Sequence, residues 1–431
     1  MVAAALRIAS TLRRRTATFT GAILLGLIAL AFAESADMAQ KLFLRLVEKV
    51  PLLPLVLTPA GFVLLAWLTH RFAPEARGSG IPQVIAAAPH PEAGLARLVS
   101  LKMAAAKFLL TISALLFGAS VGREGPTVQI SAAVMTSVHR LFKVPLSSAV
   151  VIAGGAAGVS AAFNTPLAGV AFALEELAAA YEQRLTLLVM AAVMISGMVS
   201  LGLAGDYLYF GLVGDMLAVK DALLVVPVAG IAGGVAGALF SRAVIGFTRG
   251  QAGWLRRIRA RPIIWAGACG LTVAVLGVTT GFTWGTGYEP ARALIEGTPQ
   301  SSWFGLAKLI STLATTLSGI PGGIFAPSLS VGAGLASLLP PLFPSAPFGA
   351  VILVGMTAYF VGVVRAPLTS VIIITEMTGS RGMVLPLLAA AVLAEGVAAI
   401  VCPQRLYHAL SKPFRLPPQP PPTEKPPKPT S

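Results

Sequence analysis

GASVGREGPTVQI, residues 118–130, and GIPGGIFAPSLSV, residues 319–331, lie 201 positions apart and carry glycine and proline at matching places: Gly118 over Gly319, Gly122 over Gly323, Pro126 over Pro327. The register continues outward without a gap. Ala106 and Lys107 fall on Ala307 and Lys308, Gly154 on Gly355, and PLAGVAFALE (166–175) on PLTSVIIITE (367–376). Between 106–176 and 307–377, 18 of 71 positions are identical, where a composition this rich in Ala, Leu, Gly and Val gives roughly a tenth by chance. The chain therefore reads as two related halves, approximately residues 17–205 and 218–412.

Hydrophobic residues make up 56% of the 431 residues and charged ones 11%, with a mean hydropathy of +0.82. A soluble chain carries about a quarter charged residues. Apolar runs long enough to cross a bilayer recur at 18–33, 52–68, 103–121, 185–203, 222–245, 263–282 and 384–401. These features imply an all-α polytopic membrane protein. The net charge of +15 does not mark a nucleic-acid partner, because Arg and Lys sit between the apolar runs instead of lining one soluble face. Cys269 and Cys402 read as small buried hydrophobes, and His70, His90, His139 and His408 form no cluster, so neither metal nor cofactor is expected. The absence of an HExxH motif and of any histidine in the apolar runs leaves catalysis unsupported.

Charge also orients the halves. Arg13, Arg14 and Arg15 precede the first long apolar run, whereas the run leading the second half is followed by Arg249, Arg256, Arg257, Arg259 and Arg261. If positive clusters stay inside, the two leading helices cross in opposite directions. That is an inverted repeat, whose ligand site is expected near the midplane where broken helices meet. Residues 1–16 are expected as a basic cytoplasmic N-terminus. The first run closes on AFAES, which resembles a signal-peptide cleavage site; an uncleaved first helix is favoured, since many spans follow. Residues 413–431 read as a proline-rich cytoplasmic tail that does not pack.

Three stretches interrupt apolar sequence: RGSGIPQ (77–83), GREGPTVQ (122–129) and GGIFAPSL (322–329). Each joins glycines to a proline suited to a first helical turn. A helix start leaves backbone N–H groups unpaired and carries about half a positive charge. Inside a membrane this is an anion site built without a full cation. Glu124 would then be a negative side chain among donors suited to a negative ion, and protonation would remove the competitor. Pairing with Arg123 is disfavoured, because adjacent residues on a helix do not face each other.

GSGIP, GREGP and GGIFAP, in this order, followed by FALEEL and a late RLYHAL, resemble the CLC family of chloride channels and chloride/proton exchangers, in the prokaryotic type without CBS domains. The resemblance reaches nearly the whole chain up to about Lys412. It implies that Ser79 and Tyr407 offer hydroxyls to a central chloride and that the backbone N–H groups of Ile324 and Phe325 complete that site. It also implies that Glu124 is the gating and external proton-transfer residue and Glu176 the internal one. Glu175 and its mate Glu376 read as architectural, and Lys107 and Lys308 as structural charges. Family channels typically replace the residue at Glu176 with an uncharged one, so its presence favours an exchanger over the alternative, a passive chloride channel of the same fold. The resemblance further implies a homodimer in the cell's inner membrane with both termini cytoplasmic. Gln83, where many relatives are acidic, and apolar Ile85 are departures that leave the inner end of the proton path less acidic.

Overall fold

The computed structural model describes residues 2–177, 183–205 and 208–415, so most of the expected tail, from 416 onward, lies outside the described residues. Helices account for nearly all regular structure. Seven of them among the described residues are long and apolar enough to cross a membrane, and Pro91–Arg97 with Leu101–Leu116, bent by 50°, would make an eighth span. Six of the seven apolar runs coincide with these spans. The first belongs to a helix, Val2–Lys49, that continues through the basic segment expected ahead of it. The run at 103–121 falls on Leu101–Leu116 and stops early, because the chain turns at Gly118 with φ 77°.

The halves repeat helix by helix. Leu101–Leu116 answers to Phe304–Ser318, Glu124–Leu141 to Phe325–Ala336, Ser148–Phe163 to Phe348–Val364, and Pro166–Phe172 to Pro367–Thr378. Ser148–Phe163 and its mate end on Asn164 and Arg365, both in the left-handed region at φ 56° and 60°. Each is followed two residues on by a proline that opens the next helix. The second half packs tightly where Val219–Arg249 meets Phe348–Val364: a Cβ on Gly233 or Gly237 would overlap the Tyr359 backbone. Small residues are what let helix backbones approach inside a membrane.

Contacts between the halves are reciprocal. Gly122 N–H donates to Gly323 O and Gly323 N–H to Gly122 O, both at 2.8 Å, an antiparallel bridge between repeat mates. Likewise, the Glu175 carboxylate accepts from the N–H groups of Leu368 (2.9 Å) and Thr369 (2.8 Å). Glu376 accepts from Leu167 (3.2 Å) and Ala168 (2.9 Å). Each glutamate thus satisfies orphan donors at the start of the opposite half's helix, where a carboxylate is favoured. The charges of Lys107 and Lys308 are spent on backbone: Lys107 Nζ donates to Gly78 O at 2.7 Å, and Lys308 Nζ to Gly285 O at 2.7 Å and Thr283 O at 2.9 Å.

Candidate functional site

The three Gly/Pro stretches converge on the bridge between the halves. GSGIP opens the short helix Ile81–Ala87, with Gly78 and Gly80 at φ 64° and 108°. Its Gly78 carbonyl accepts from Gly322 N–H at 3.1 Å, which ties it to GGIFAP. GREGP and GGIFAP start helices at Glu124 and Phe325, positions related by the repeat. Because Ile324 and Phe325 open their helix, their N–H groups have no intrahelical acceptor.

Ser79, Ile324 and Tyr407 line one cavity of about 380 Å³. It runs from exposed His70 and Arg77 to the buried Ser79 and Tyr407. The Ser79 and Tyr407 hydroxyls are both buried without a hydrogen-bond partner. Two unpaired hydroxyls beside a helix start have the chemistry to hold an anion, since buried polar groups otherwise find partners. Phe325 presents its ring to Phe163, Phe172, Phe360 and Tyr407, with centroids 5.2–5.9 Å away. Phe325, also expected at the site, does not line this cavity; its ring belongs to an aromatic wall that includes Tyr407.

Glu124 is fully buried. Its Oε1 accepts from the Tyr288 hydroxyl at 2.8 Å, while Oε2 has no hydrogen-bond partner. Oε2 lies where a Cβ on Gly122 would be, a position also close to Ala326 and Pro327 of the opposite half's helix. Arg123 turns elsewhere: its guanidinium pairs with Asp37 at 2.7 Å and donates to Ala33 O and the Tyr209 hydroxyl. Tyr209 stacks on Tyr288 at 4.8 Å, so the cation braces the ring that holds Glu124 without meeting the carboxylate.

Glu176 sits in a π-helical turn, Ala173–Leu177. The wider turn points consecutive glutamates in different directions: Glu175 reaches the opposite half, and Glu176 is buried with Oε1 3.2 Å from His408 Nδ1. Its Oε2 is unpaired. The chain thus buries two carboxylates, one on Tyr288 and one on His408, each with an unpaired oxygen.

Residues 60–399 match the family described as voltage gated chloride channel. The chain belongs to that family. Curated relatives include the H(+)/Cl(-) exchange transporter ClcA of Salmonella paratyphi A, 30% identical over 397 residues that span 85% of this chain and 81% of the relative. The protein of the same name from Yersinia pestis is 30% identical over 416 residues, spanning 90% and 85% of the two chains. A slow cyanobacterial Cl-/H+ antiporter superposes with a TM-score of 0.82 at 22% identity, covering 94% of this chain and 98% of that one. A CLC-type fluoride/proton antiporter gives 0.76 at 24%, covering 91% and 96%. At such identities the structures establish the CLC fold alone.

Within this CLC fold, two contributors escaped the sequence reading. Tyr288, the donor to Glu124, belongs to GTGYEP (285–290), which is the structural mate of GSGIP: Gly285 and Gly287 have φ 59° and 80°, and Lys308 bonds Gly285 as Lys107 bonds Gly78. The mate lies 207 residues on, so an ungapped register of 201 passes it by; the GxG spacing was the available signal. His408 follows Tyr407 directly, and only the fold brings it to Glu176.

Proposed function

We propose that this membrane protein exchanges chloride for protons, with Glu124 as the gating and external proton-transfer residue and Glu176 as the internal one. The observation that carries the reading is the Glu124 carboxylate, buried at the bridge between the halves with one oxygen on Tyr288 and the other unpaired beside the opposite half's helix start. A seated carboxylate and a chloride ion ask the same thing of such a place, namely N–H and O–H donors and a positive helix end. They exclude each other. Protonation cancels the carboxylate's charge and lets the ion in, so each anion passage is tied to a proton event. Ser79, Tyr407 and the N–H groups of Ile324 and Phe325 would hold the ion below the gate. Glu176 would pass the proton to the cytoplasm.

The curated relatives are named as exchangers of these two ions, which supports exchange over passive conduction. The arginine clusters at 13–15 and 249–261 support both termini on the cytoplasmic face of the inner membrane. A homodimer is part of the same proposal and follows from the family resemblance.

The test is proton flux driven by a chloride gradient in liposomes. Wild-type protein should pump protons uphill. Glu124→Gln, which mimics the protonated gate, and Glu176→Ala should pass chloride without protons. A wild-type chloride flux with no proton movement would make the protein a channel, and coupling that survives Glu124→Gln would remove Glu124 from the mechanism.

A further inference from the structure

Glu176 is sealed from solvent: its side chain is 0% accessible, whereas the His408 side chain, 3.2 Å away through Nδ1, is 42% accessible. We infer that His408 is the proton port that carries protons between the cytoplasm and Glu176, an inference that rests on the internal proton-transfer role proposed above for Glu176. A buried carboxylate needs a conductor to exchange protons with water, and the imidazole spans that boundary with one nitrogen on the carboxylate. The neighbouring glutamate is not a rival, because the Glu175 carboxylate is engaged by Leu368 N–H, Thr369 N–H and the Thr369 hydroxyl. Its carbonyl also accepts from Arg405.

The other ionisable groups around His408 are accounted for among the described residues. Its helix, Leu406–Ser411, packs against Ile81–Ala87, which bears no charge, and against Phe348–Val364, whose one titratable side chain is buried Tyr359. It also packs against Val219–Arg249, which carries Lys220, Asp221, Arg242 and Arg249; Arg249 is held on Gln404 and Asp221 on Ser345. Arg405 precedes the helix and Lys412 follows it. Among the described residues, Glu176 is the one carboxylate hydrogen-bonded to the ring.

The step balances within the pair. A proton from cytoplasmic water adds at Nε2, the imidazolium releases its Nδ1 proton to Glu176 Oε1, and the products are a neutral carboxylic acid and a neutral ring protonated at Nε2. Once Glu176 has passed its proton on, Nε2 gives a proton to water and water gives one to Nδ1, a tautomer exchange that resets the ring with no net change in protons. The reverse sequence discharges a proton arriving from outside. A positioned group of this kind typically accelerates proton transfer by about 100- to 10,000-fold.

The experiment compares full-length wild-type, His408→Gln, His408→Ala and Glu176→Ala proteins in liposomes under a chloride gradient. Both histidine variants should lose at least about 100-fold in proton flux, the lower edge of that effect. Imidazole added to the buffer should restore flux to His408→Ala and not to Glu176→Ala, which a purely structural histidine would not show. Wild-type proton flux in His408→Gln, or a His408→Ala deficit that imidazole leaves untouched, overturns the inference. Coupling that persists in Glu176→Ala overturns the role of Glu176 itself, so the two failures are distinguishable.

Discussion

Replacing Tyr288 with Phe deletes one hydroxyl and keeps the ring that stacks on Tyr209 at 4.8 Å and meets Phe210 edge-on at 5.6 Å. What is lost is the 2.8 Å hydrogen bond to Glu124 Oε1. A hydrogen bond to a charged group is worth about 1.5–3 kcal/mol, so the balance between a seated and a displaced carboxylate should move roughly 10- to 150-fold toward displaced. In the mechanism proposed above, chloride competes for the vacated place. Calorimetric titration of the purified protein should therefore find tighter apparent chloride binding in Tyr288→Phe, by up to that factor. Adding Glu124→Gln to both proteins should erase the difference, because the amide competes poorly with an anion whether or not the hydroxyl is present. An unchanged affinity in Tyr288→Phe, or an equal shift in the Glu124→Gln background, would refute the view that Tyr288 latches the gate.

Gly122→Ala should do by crowding what Tyr288→Phe does by subtraction: its Cβ would occupy the place of Glu124 Oε2, so chloride flux should rise and the number of protons moved per chloride fall, read as the two fluxes in one liposome preparation. Glu376→Ala should cost about 0.5–2 kcal/mol through loss of a helix cap, seen as a lower melting temperature, with proton coupling intact; a loss of coupling at unchanged stability would give Glu376 a role in transport. Ser79→Pro removes a hydroxyl and a backbone N–H beside the cavity, each worth about 0.5–1.5 kcal/mol in a hydrogen bond, enough to shift an anion ratio about tenfold. Nitrate should gain on chloride in paired flux measurements, and an unmoved ratio in a folded variant would show that Ser79 does not set selectivity.

The repeat was legible because it runs ungapped through 106–176, and the helix starts at Glu124 and Phe325 fall where its glycines and prolines put them. Local signals of this kind survive in a bare sequence because backbone sterics enforce them. Three features did not. The π-turn that separates Glu175 from Glu176 has no residue signature in ALEEL, since the extra residue in the turn depends on what each carboxylate finds in three dimensions. The Arg123 network reaches Ala33 and Asp37 from one side and Tyr209 from another, partners that only packing assembles. Tyr288 was hidden because the stretch from GTGYEP to Lys308 is six residues shorter than the one from GSGIP to Lys107, which puts GTGYEP out of register with GSGIP.

The reciprocal caps and the paired Gly122–Gly323 bonds have the form of an isologous interface, in which residue i of one partner meets j of the other and j meets i. Two separate copies of one half would make the same contacts, but any substitution in such a pair would appear twice. A glutamate at the bridge would put two acidic stoppers in one channel, and a phenylalanine would put none. Joining the copies into a single polypeptide lets the two equivalent places differ, with Glu124 on one side and Phe325 on the other. The result is a duplicated framework with an ionisable side chain at one of two equivalent places, so that, if Glu124 is the gate proposed above, only one side of the bridge answers to acidity.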